Sequence, residues 1–211
     1  MSPSINIFIW FLFCALGLTK ISRVPSFAHS TQVFRDLTAE APQDLVTREM
    51  WGSCSSAAEW LQVQNGYVHS MAVTCMVGHL IGLGDRHLDN LLLDLATGEV
   101  VHIDYNVCFD KGANLRVPER VPYRLSPIFQ HALGVAGVEG GFKQWAEKIL
   151  ATLRDSKDLL LVLLEAFVHD PLVRQEKDEK ASLRWKDFFQ NRTTLNVADL
   201  ALLCFSCPCL G

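Results

Sequence analysis

The stretch GDRHLDNLLLDLATGEVVHID, residues 84–104, decides the fold of the chain around it. Two short apolar runs, 91–94 and 99–103, flank a turn signal at residues 96–98, a pattern that predicts a β-hairpin. Asn90 opens the first run and Asp104 follows the second. Because antiparallel pairing brings the start of one strand to the end of the other, we expect both residues at one end of the hairpin.

Helical patterns surround the predicted hairpin. Apolar residues recur at three- or four-residue steps over residues 57–81, which predicts a buried helix that ends near Gly82. Residues 141–153 and 157–169 predict two more core helices, and Pro42 lies where the first turn of a short helix is expected. Residues 104–127 fit neither period, so we interpret them as a functional loop, the candidate activation segment.

The polar residues beside the hairpin suit phosphoryl transfer. That chemistry needs a group that accepts the proton of an attacking hydroxyl, together with oxygen ligands for Mg²⁺. Asp85, Asn90 and Asp104 supply both kinds of group, and Asp85 precedes Asn90 by five residues, the separation found in protein kinases. Taken singly, each could be a helix cap or turn residue, whereas the joint pattern favours a catalytic site.

The order Asp85-Arg86-His87, where protein kinases have His-Arg-Asp, resembles the PI3-kinase and PI3-kinase-related superfamily. The resemblance covers residues 37–173, and its most specific parts are 82–112, 115–127, 132–142 and 163–173. Asp104-Tyr105-Asn106 stands where most kinases read Asp-Phe-Gly. That variant is similar to the branch of PI3-kinase-related kinases that acts in nonsense-mediated mRNA decay.

The resemblance implies the large (C-terminal) lobe of such a kinase, in the α+β class, mainly helical, with a catalytic-loop β-hairpin. It implies that Asp85 and His87 serve the attacking hydroxyl, with their roles open to exchange, and that Arg86 supports the loop. Asn90 and Asp104 would hold Mg²⁺ or Mn²⁺ against ATP. The implied activity is a serine/threonine-protein kinase whose substrate is an RNA helicase of mRNA surveillance with Ser/Thr-Gln sites.

Two other functions stay open. A phosphoinositide lipid kinase shares the Asp-Arg-His-x-x-Asn loop, but Lys111 is the one basic residue in the first part of the segment after Asp104. A non-catalytic interaction module is the other alternative. Three arginines in the candidate activation segment could bind an acidic substrate or solvate the loop: Arg116, Arg120 and Arg124. His102 and four further histidines are interpreted as structural: His69, His79, His131 and His169.

We divide the chain into an apolar stretch outside the resemblance (1–30), the kinase segment (31–174) and a divergent tail that contains cysteines (175–211). The residues before the resemblance are too few for a small lobe with its phosphate-covering loop and ATP-binding lysine. We therefore expect a fragment with negligible turnover in isolation.

Composition says little about partners. A formal net charge of −4 gives no overall attraction for nucleic acid or anionic membrane, so neither is expected to bind. Seven scattered cysteines favour a reducing compartment, the cytoplasm or nucleus. The apolar run 5–18 is shorter than the roughly 20 residues that span a membrane, and neither this run nor the sequon Asn191-Arg192-Thr193 is interpreted as evidence of secretion.

Overall fold

The computed structural model describes residues 31–33, 42–108, 111–116, 118 and 121–168. Five α-helices lie in these ranges: α1 (Leu45–Gly52), α2 (Ala57–Leu80), α3 (Pro127–Ala132), α4 (Gly141–Asp155) and α5 (Lys157–Val168). Three short strands accompany them: β1 (Thr31–Val33), β2 (Leu91–Asp94) and β3 (Val100–His102). Single 3-10 turns occupy Leu88–Asn90, Lys111–Asn114 and Gly137–Glu139.

Helix α2 is the central element of the fold. It begins at Ser56, whose side chain accepts a hydrogen bond from the Glu59 N–H, while the Glu59 carboxylate accepts from the N–H and hydroxyl of Ser55. This reciprocal capping fixes the first turn. Every residue from Met71 to Leu80 is buried, because α4 and strand β3 both pack against the helix.

The sheet is small and antiparallel, with strand order β1-β2-β3. Strands β2 and β3 pair so that Leu91 lies opposite His102 and Leu93 opposite Val100, which is the pairing that the two apolar runs predict. Strand β1 pairs with the other edge of β2, with Gln32 opposite Leu93. The sequence pattern did not predict β1.

Two helical expectations need correction. Pro42 does not lie in the first turn of α1; its carbonyl accepts the Leu45 N–H in the turn that precedes the helix. The irregular segment after Asp104 ends before Pro127, because Pro127 begins helix α3, which was not predicted. Proline suits this position, since the first residue of a helix has no use for its N–H.

The predicted helices near 141–153 and 157–169 correspond to α4 and α5. No helix in the described ranges is long and apolar enough to cross a membrane. The run 5–18, the sequon, His169 and the tail cysteines lie outside the described residues.

Candidate active site

The end of helix α2 fixes where the candidate catalytic loop, residues 84–90, begins. The Gly82 N–H donates to the His79 carbonyl at 3.2 Å and the Leu83 N–H to the Gly78 carbonyl at 2.8 Å. Gly82 has a φ of 58°, so these contacts form a Schellman motif, for which glycine is the favoured residue. The helix therefore stops at one defined position, and the chain turns directly into the loop.

Asp85 and Asp104 have left-handed backbone conformations, with φ of 56° and 57°. Within the described part of the chain they are the only non-glycine residues with positive φ. Such a conformation costs about 1–2 kcal/mol for most L-residues and less for Asp and Asn, and it concentrates at functional sites. Other contacts must therefore hold these two carboxylate residues in place.

Arg86 supplies several of those contacts. Its side chain is buried, with a residue exposure of 6%. Its Nε donates to the Gly84 carbonyl at 2.9 Å, Nη1 donates to the Ile103 carbonyl at 2.7 Å, and Nη2 donates to the Asp104 carbonyl. Gly84 precedes strand β2, whereas Ile103 and Asp104 follow strand β3. Arg86 therefore connects the candidate catalytic loop to the segment that carries Asp104.

Asn90 is buried and faces the loop. Its Nδ2 donates to the Asp85 carbonyl at 2.8 Å and lies 3.1 Å from His87 Nε2. A carbonyl oxygen can only accept, so the nitrogen side of the amide must face Asp85. The Asn90 Oδ1 is thus the atom that points away from this carbonyl and can serve as a ligand, while His87 Nε2 can accept the second amide proton.

The side chains of Asp85 and His87 lie together at the surface of the loop. Asp85 Oδ1 is 3.9 Å from His87 Nε2, and their side chains are 46% and 49% exposed, respectively. Both groups can therefore be reached by a substrate hydroxyl from solvent, and a small movement or a bridging water would bring them into contact.

Asn90 and Asp104 meet at one end of the sheet, as the hairpin pattern predicts. The Ile103 N–H donates to the Asn90 carbonyl at 3.0 Å, one step beyond the pairing of Leu91 with His102. The Asp104 carboxylate accepts from the Asn106 N–H at 3.2 Å, which orients one of its oxygens.

The chemistry of this donor set fits Mg²⁺, which prefers a few carboxylate and carbonyl oxygens and keeps several waters. Asn90 and Asp104, which meet at this end of the sheet, offer one amide oxygen and one carboxylate of this kind. Among the described residues no group of three or more His, Cys, Asp or Glu side chains is arranged to hold a metal.

Two residues beside the loop were not assigned from the sequence. The ring of Tyr105 lies 5.8 Å from the guanidinium carbon of Arg86. Burial raises the pKa of Tyr105 to about 12 although the charge of Arg86 opposes this shift, so the phenol stays neutral. Arg124 donates from Nη1 to the Arg86 carbonyl at 3.0 Å.

His102 differs from the expected core histidine with satisfied hydrogen bonds. Its Nδ1 is buried and has no hydrogen-bond partner in the part of the chain that the structure describes. Burial and the nearby charge of Arg86 lower the pKa of His102 to about 3, so the ring is neutral at physiological pH.

The other histidines and arginines lie apart from the loop or on its edge. His79 is buried in α2, His69 packs edge-on against Trp145, and His131 Nδ1 lies 3.2 Å from the Thr47 hydroxyl. Arg116 is exposed, whereas Arg120 lies outside the described residues.

Comparison with known proteins identifies the family and the fold of the chain. The sequence matches Phosphatidylinositol 3- and 4-kinase over residues 7–177, most of the chain. The chain belongs to the phosphatidylinositol 3- and 4-kinase family. The match begins within the first 30 residues, which sequence reasoning left outside the resemblance.

Several members of this family that resemble the chain are serine/threonine-protein kinases. Serine/threonine-protein kinase SMG1 of Danio rerio is 55% identical over 141 residues, covering 67% of this chain. The probable serine/threonine-protein kinase smg1 of Dictyostelium discoideum is 52% identical over 141 residues, also 67% of the chain. Serine/threonine-protein kinase ATR of Oryza sativa subsp. indica is 45% identical over 175 residues, 77% of the chain. The resemblance to PI3-kinase-related protein kinases is thereby confirmed.

A solved structure of the FAT and kinase domain of CtTel1 has the same fold. It superposes with a TM-score of 0.71 and 32% identity over 77% of this chain and 12% of that chain. The chain spans only 4 to 6% of the length of the three curated relatives. The superposition and the family match together show that the chain has the fold of a PI3-kinase-like kinase domain, mainly helical with a small antiparallel sheet.

Proposed function

We propose that the chain supplies the proton-accepting and metal-binding part of an Mg-ATP-dependent serine/threonine-protein kinase, in the large lobe of its kinase domain. One observation carries the proposal: Arg86 and Asn90 join the loop of Asp85 and His87 to the segment of Asp104 by hydrogen bonds. A proton acceptor and two oxygen ligands for a metal thus lie on two adjacent connections, as phosphoryl transfer requires.

In the proposed reaction, Asp85 orients the substrate hydroxyl and accepts its proton while the hydroxyl oxygen attacks the γ-phosphorus of ATP. The bond from that phosphorus to the β,γ-bridging oxygen breaks, and ADP leaves with the electron pair. His87, 3.9 Å from that carboxylate, takes part by accepting the proton or by stabilising the ionised Asp85. Bound Mg²⁺, held by Asn90 and Asp104, would neutralise the charge of the phosphates. Arg86 keeps both groups of residues in register without touching the substrate.

For the substrate, we propose Ser or Thr followed by Gln, on a protein of mRNA surveillance such as an RNA helicase, in the cytoplasm or nucleus. The support is the Asp104-Tyr105-Asn106 variant together with identities above 50% to kinases named SMG1. The relatives also include kinases named ATR and TOR, so the sequence family by itself leaves the substrate open.

The test replaces the matching segment of SMG1 from Danio rerio with residues 37–173 of this chain. We expect the purified chimera to transfer labelled phosphate to a peptide with a Ser-Gln site. Asp85→Asn should lower kcat at least about a hundredfold, since a positioned general base contributes that much or more. Asp158→Asn, at an exposed position in the first turn of helix α5, is the matched control and should leave kcat unchanged.

Two outcomes would overturn the proposal. An inactive chimera beside an active parent kinase would favour the non-catalytic interaction module. Transfer to a phosphoinositide vesicle but not to the peptide would favour the lipid kinase instead.

A further inference from the structure

Three consecutive main-chain carbonyls of the candidate catalytic loop each accept a hydrogen bond from a side chain. The Gly84 carbonyl accepts from Arg86 Nε at 2.9 Å, the Asp85 carbonyl from Asn90 Nδ2 at 2.8 Å, and the Arg86 carbonyl from Arg124 Nη1 at 3.0 Å. These carbonyls belong to the three peptide planes around Asp85 and Arg86. Together the donors fix the dihedral angles of both residues, including the left-handed φ of Asp85.

Only one of these donors comes from outside the stretch 84–104. Arg86 and Asn90 are part of the loop itself, whereas Arg124 lies 38 residues from the carbonyl that it contacts. Arg124 lies near the end of the candidate activation segment, three residues before helix α3 begins at Pro127. Its hydrogen bond joins the end of that segment directly to the loop, while at the start of the segment the Val107 carbonyl accepts from the Gly84 N–H at 2.7 Å.

From these contacts we propose that Arg124 is a positioning residue. It holds the peptide plane between Arg86 and His87, and through Arg86 it holds the Asp104 segment. The effect of Arg124 on catalysis rests on the proposed function, whereas its effect on the conformation of the loop does not. The sequence left two roles open for Arg124, binding of an acidic substrate or solvation of the loop. The contact with the Arg86 carbonyl assigns it a third role, inside the protein.

The contact has chemical features that make it effective. A charged donor on a carbonyl makes a stronger hydrogen bond than a neutral donor does. The contact is partly buried, and the carbonyl that accepts it belongs to the peptide bond between Arg86 and His87. Loss of the Arg124 donor should free the His87 side of the loop first. The Gly84 side, which Arg86 Nε holds from within the loop, should be affected less.

The first test uses amide hydrogen exchange of the 211-residue chain and needs no activity. The Asn90 N–H donates to the His87 carbonyl and the Ile103 N–H to the Asn90 carbonyl, both at 3.0 Å, so these amides report on the loop. Arg124→Ala should speed their exchange roughly tenfold, the effect of losing a hydrogen bond of ordinary strength. The Asp94 N–H, which bonds Glu99 at the far end of the hairpin, should not change.

Matched variants separate this role from the loss of any arginine. Arg116→Ala removes an exposed arginine of the same segment and should leave the exchange of Asn90 and Ile103 unchanged. Arg124→Lys keeps a charged donor and should restore part of the protection. Unchanged exchange in Arg124→Ala overturns the proposal. Equal acceleration of all amides, Asp94 included, also overturns it, because it would mean a general loss of stability.

The second test uses the active chimera with SMG1 of Danio rerio and separates kcat from KM. Arg124→Ala should lower kcat about ten- to a hundredfold with little change in the KM for the peptide, since it displaces Asp85 and His87 without touching the substrate. Arg48→Ala, an exposed arginine paired with Asp44 on helix α1, is the control. A raised KM with unchanged kcat overturns the positioning role in favour of substrate binding. If the chimera is inactive, the exchange experiment still decides the structural role.

Discussion

At the scale of single residues, the candidate site depends on backbone conformations that side chains enforce. Asp85 and Asp104 both have left-handed φ angles, and Arg86 donates to carbonyls beside each of them. Aspartate and asparagine tolerate this region better than other residues with a Cβ because their short polar groups can bond locally. Aspartate therefore provides a carboxylate at both positions and also tolerates the left-handed backbone conformation there.

This argument predicts different stabilities for two variants that both remove the Asp85 carboxylate. Asp85→Asn keeps the tolerance for a φ of 56°, so its unfolding free energy should stay near that of the wild type. Asp85→Ala should unfold about 1 kcal/mol more easily, since alanine lacks that tolerance. Urea denaturation measures both, and an alanine variant as stable as the asparagine variant would mean that φ at residue 85 carries no strain.

The sequence predicted candidate catalytic and metal-binding residues, and the resemblance implied that Arg86 supports the loop, but the other contacts that hold these residues were not predicted. Asn90 and Asp104 could be paired because a hairpin brings the start of one strand to the end of the other. Asp85 could be found because it precedes Asn90 by the five residues that separate such groups in protein kinases. Arg124 could not, because its partner is 38 residues away and is a main-chain atom, which leaves no residue-type signal. The unpartnered Nδ1 of His102 is likewise invisible in a pattern that shows only a strand.

At the scale of elements, the hairpin is seated on helix α2 by a close backbone approach. A Cβ added to Gly98 would lie 2.0 Å from the Val63 carbonyl oxygen, and one added to Gly66 would lie 2.3 Å from that of Thr97. The Val100 N–H also donates to the Ser70 hydroxyl of α2 at 2.9 Å. The turn of the hairpin thus touches the helix main chain, and this fixes where the other end of the hairpin, with Asn90 and Asp104, lies.

A series of three glycine variants separates this close approach from backbone strain. Gly98→Ala combines a φ of 75° with the backbone overlap and should lower the unfolding free energy by about 3 kcal/mol. Gly137→Ala has a φ of 54° in open space and should cost about 1 kcal/mol. Gly52→Ala has neither feature and should be nearly neutral. If urea denaturation gives equal losses of unfolding free energy for Gly98→Ala and Gly137→Ala, the hairpin can shift away from α2 without loss of stability.

The packing of α2 on α4 gives a prediction about pH. His69 of α2 lies edge-on to Trp145 of α4, with ring centres 4.4 Å apart, and Lys148 lies over the same Trp145 ring. Burial and then the charge of Lys148 lower the pKa of His69. Lys148→Gln should therefore raise the pKa of His69 towards the ordinary value of about 6.5, as measured by NMR of the imidazole. Lys143→Gln, on the same helix, should have no such effect.

The sign of the stability effect follows from linkage. Because the folded pKa lies below the unfolded one, the contribution of His69 to stability is fully present above the unfolded value of about 6.5. It is lost as the pH falls from that value through the lower folded pKa. The wild type should therefore lose more stability than Lys148→Gln between neutral and mildly acidic pH. Equal losses would mean that Lys148 does not act on His69 in solution.

Elements with strong local patterns were predictable, and those that depend on distant partners were not. Helix α2 and strands β2 and β3 show their period or turn signal within the segment itself. Strand β1 has three residues and exists through pairing with β2, and α3 has six residues, too few for a period to emerge. Both are defined by tertiary contacts that a single sequence does not display.

At the scale of the whole molecule, the proposed function gives the chain only part of the kinase chemistry. Under that proposal the described residues offer a proton acceptor and metal ligands, whereas transfer also requires groups that position the ATP phosphates. The curated relatives are far longer, since this chain spans 4 to 6% of their length. We therefore assign the lysine and loop that would hold ATP to the parent kinase, not to the residues described.

The last prediction compares the 211-residue chain with the chimera described above. Positioning of the reactants accounts for much of the rate of phosphoryl transfer, because there is little covalent chemistry for the protein to perform. We expect the chain alone to phosphorylate a Ser-Gln peptide at least about a thousandfold more slowly than the chimera under equal Mg-ATP. The assay follows labelled phosphate, with Asp85→Asn as the blank for each protein. If the chain alone turns over the peptide at a rate close to that of the chimera, and Asp85→Asn abolishes this turnover, residues 1–211 already bind ATP. The assignment of the ATP-binding groups to the parent kinase would then be wrong.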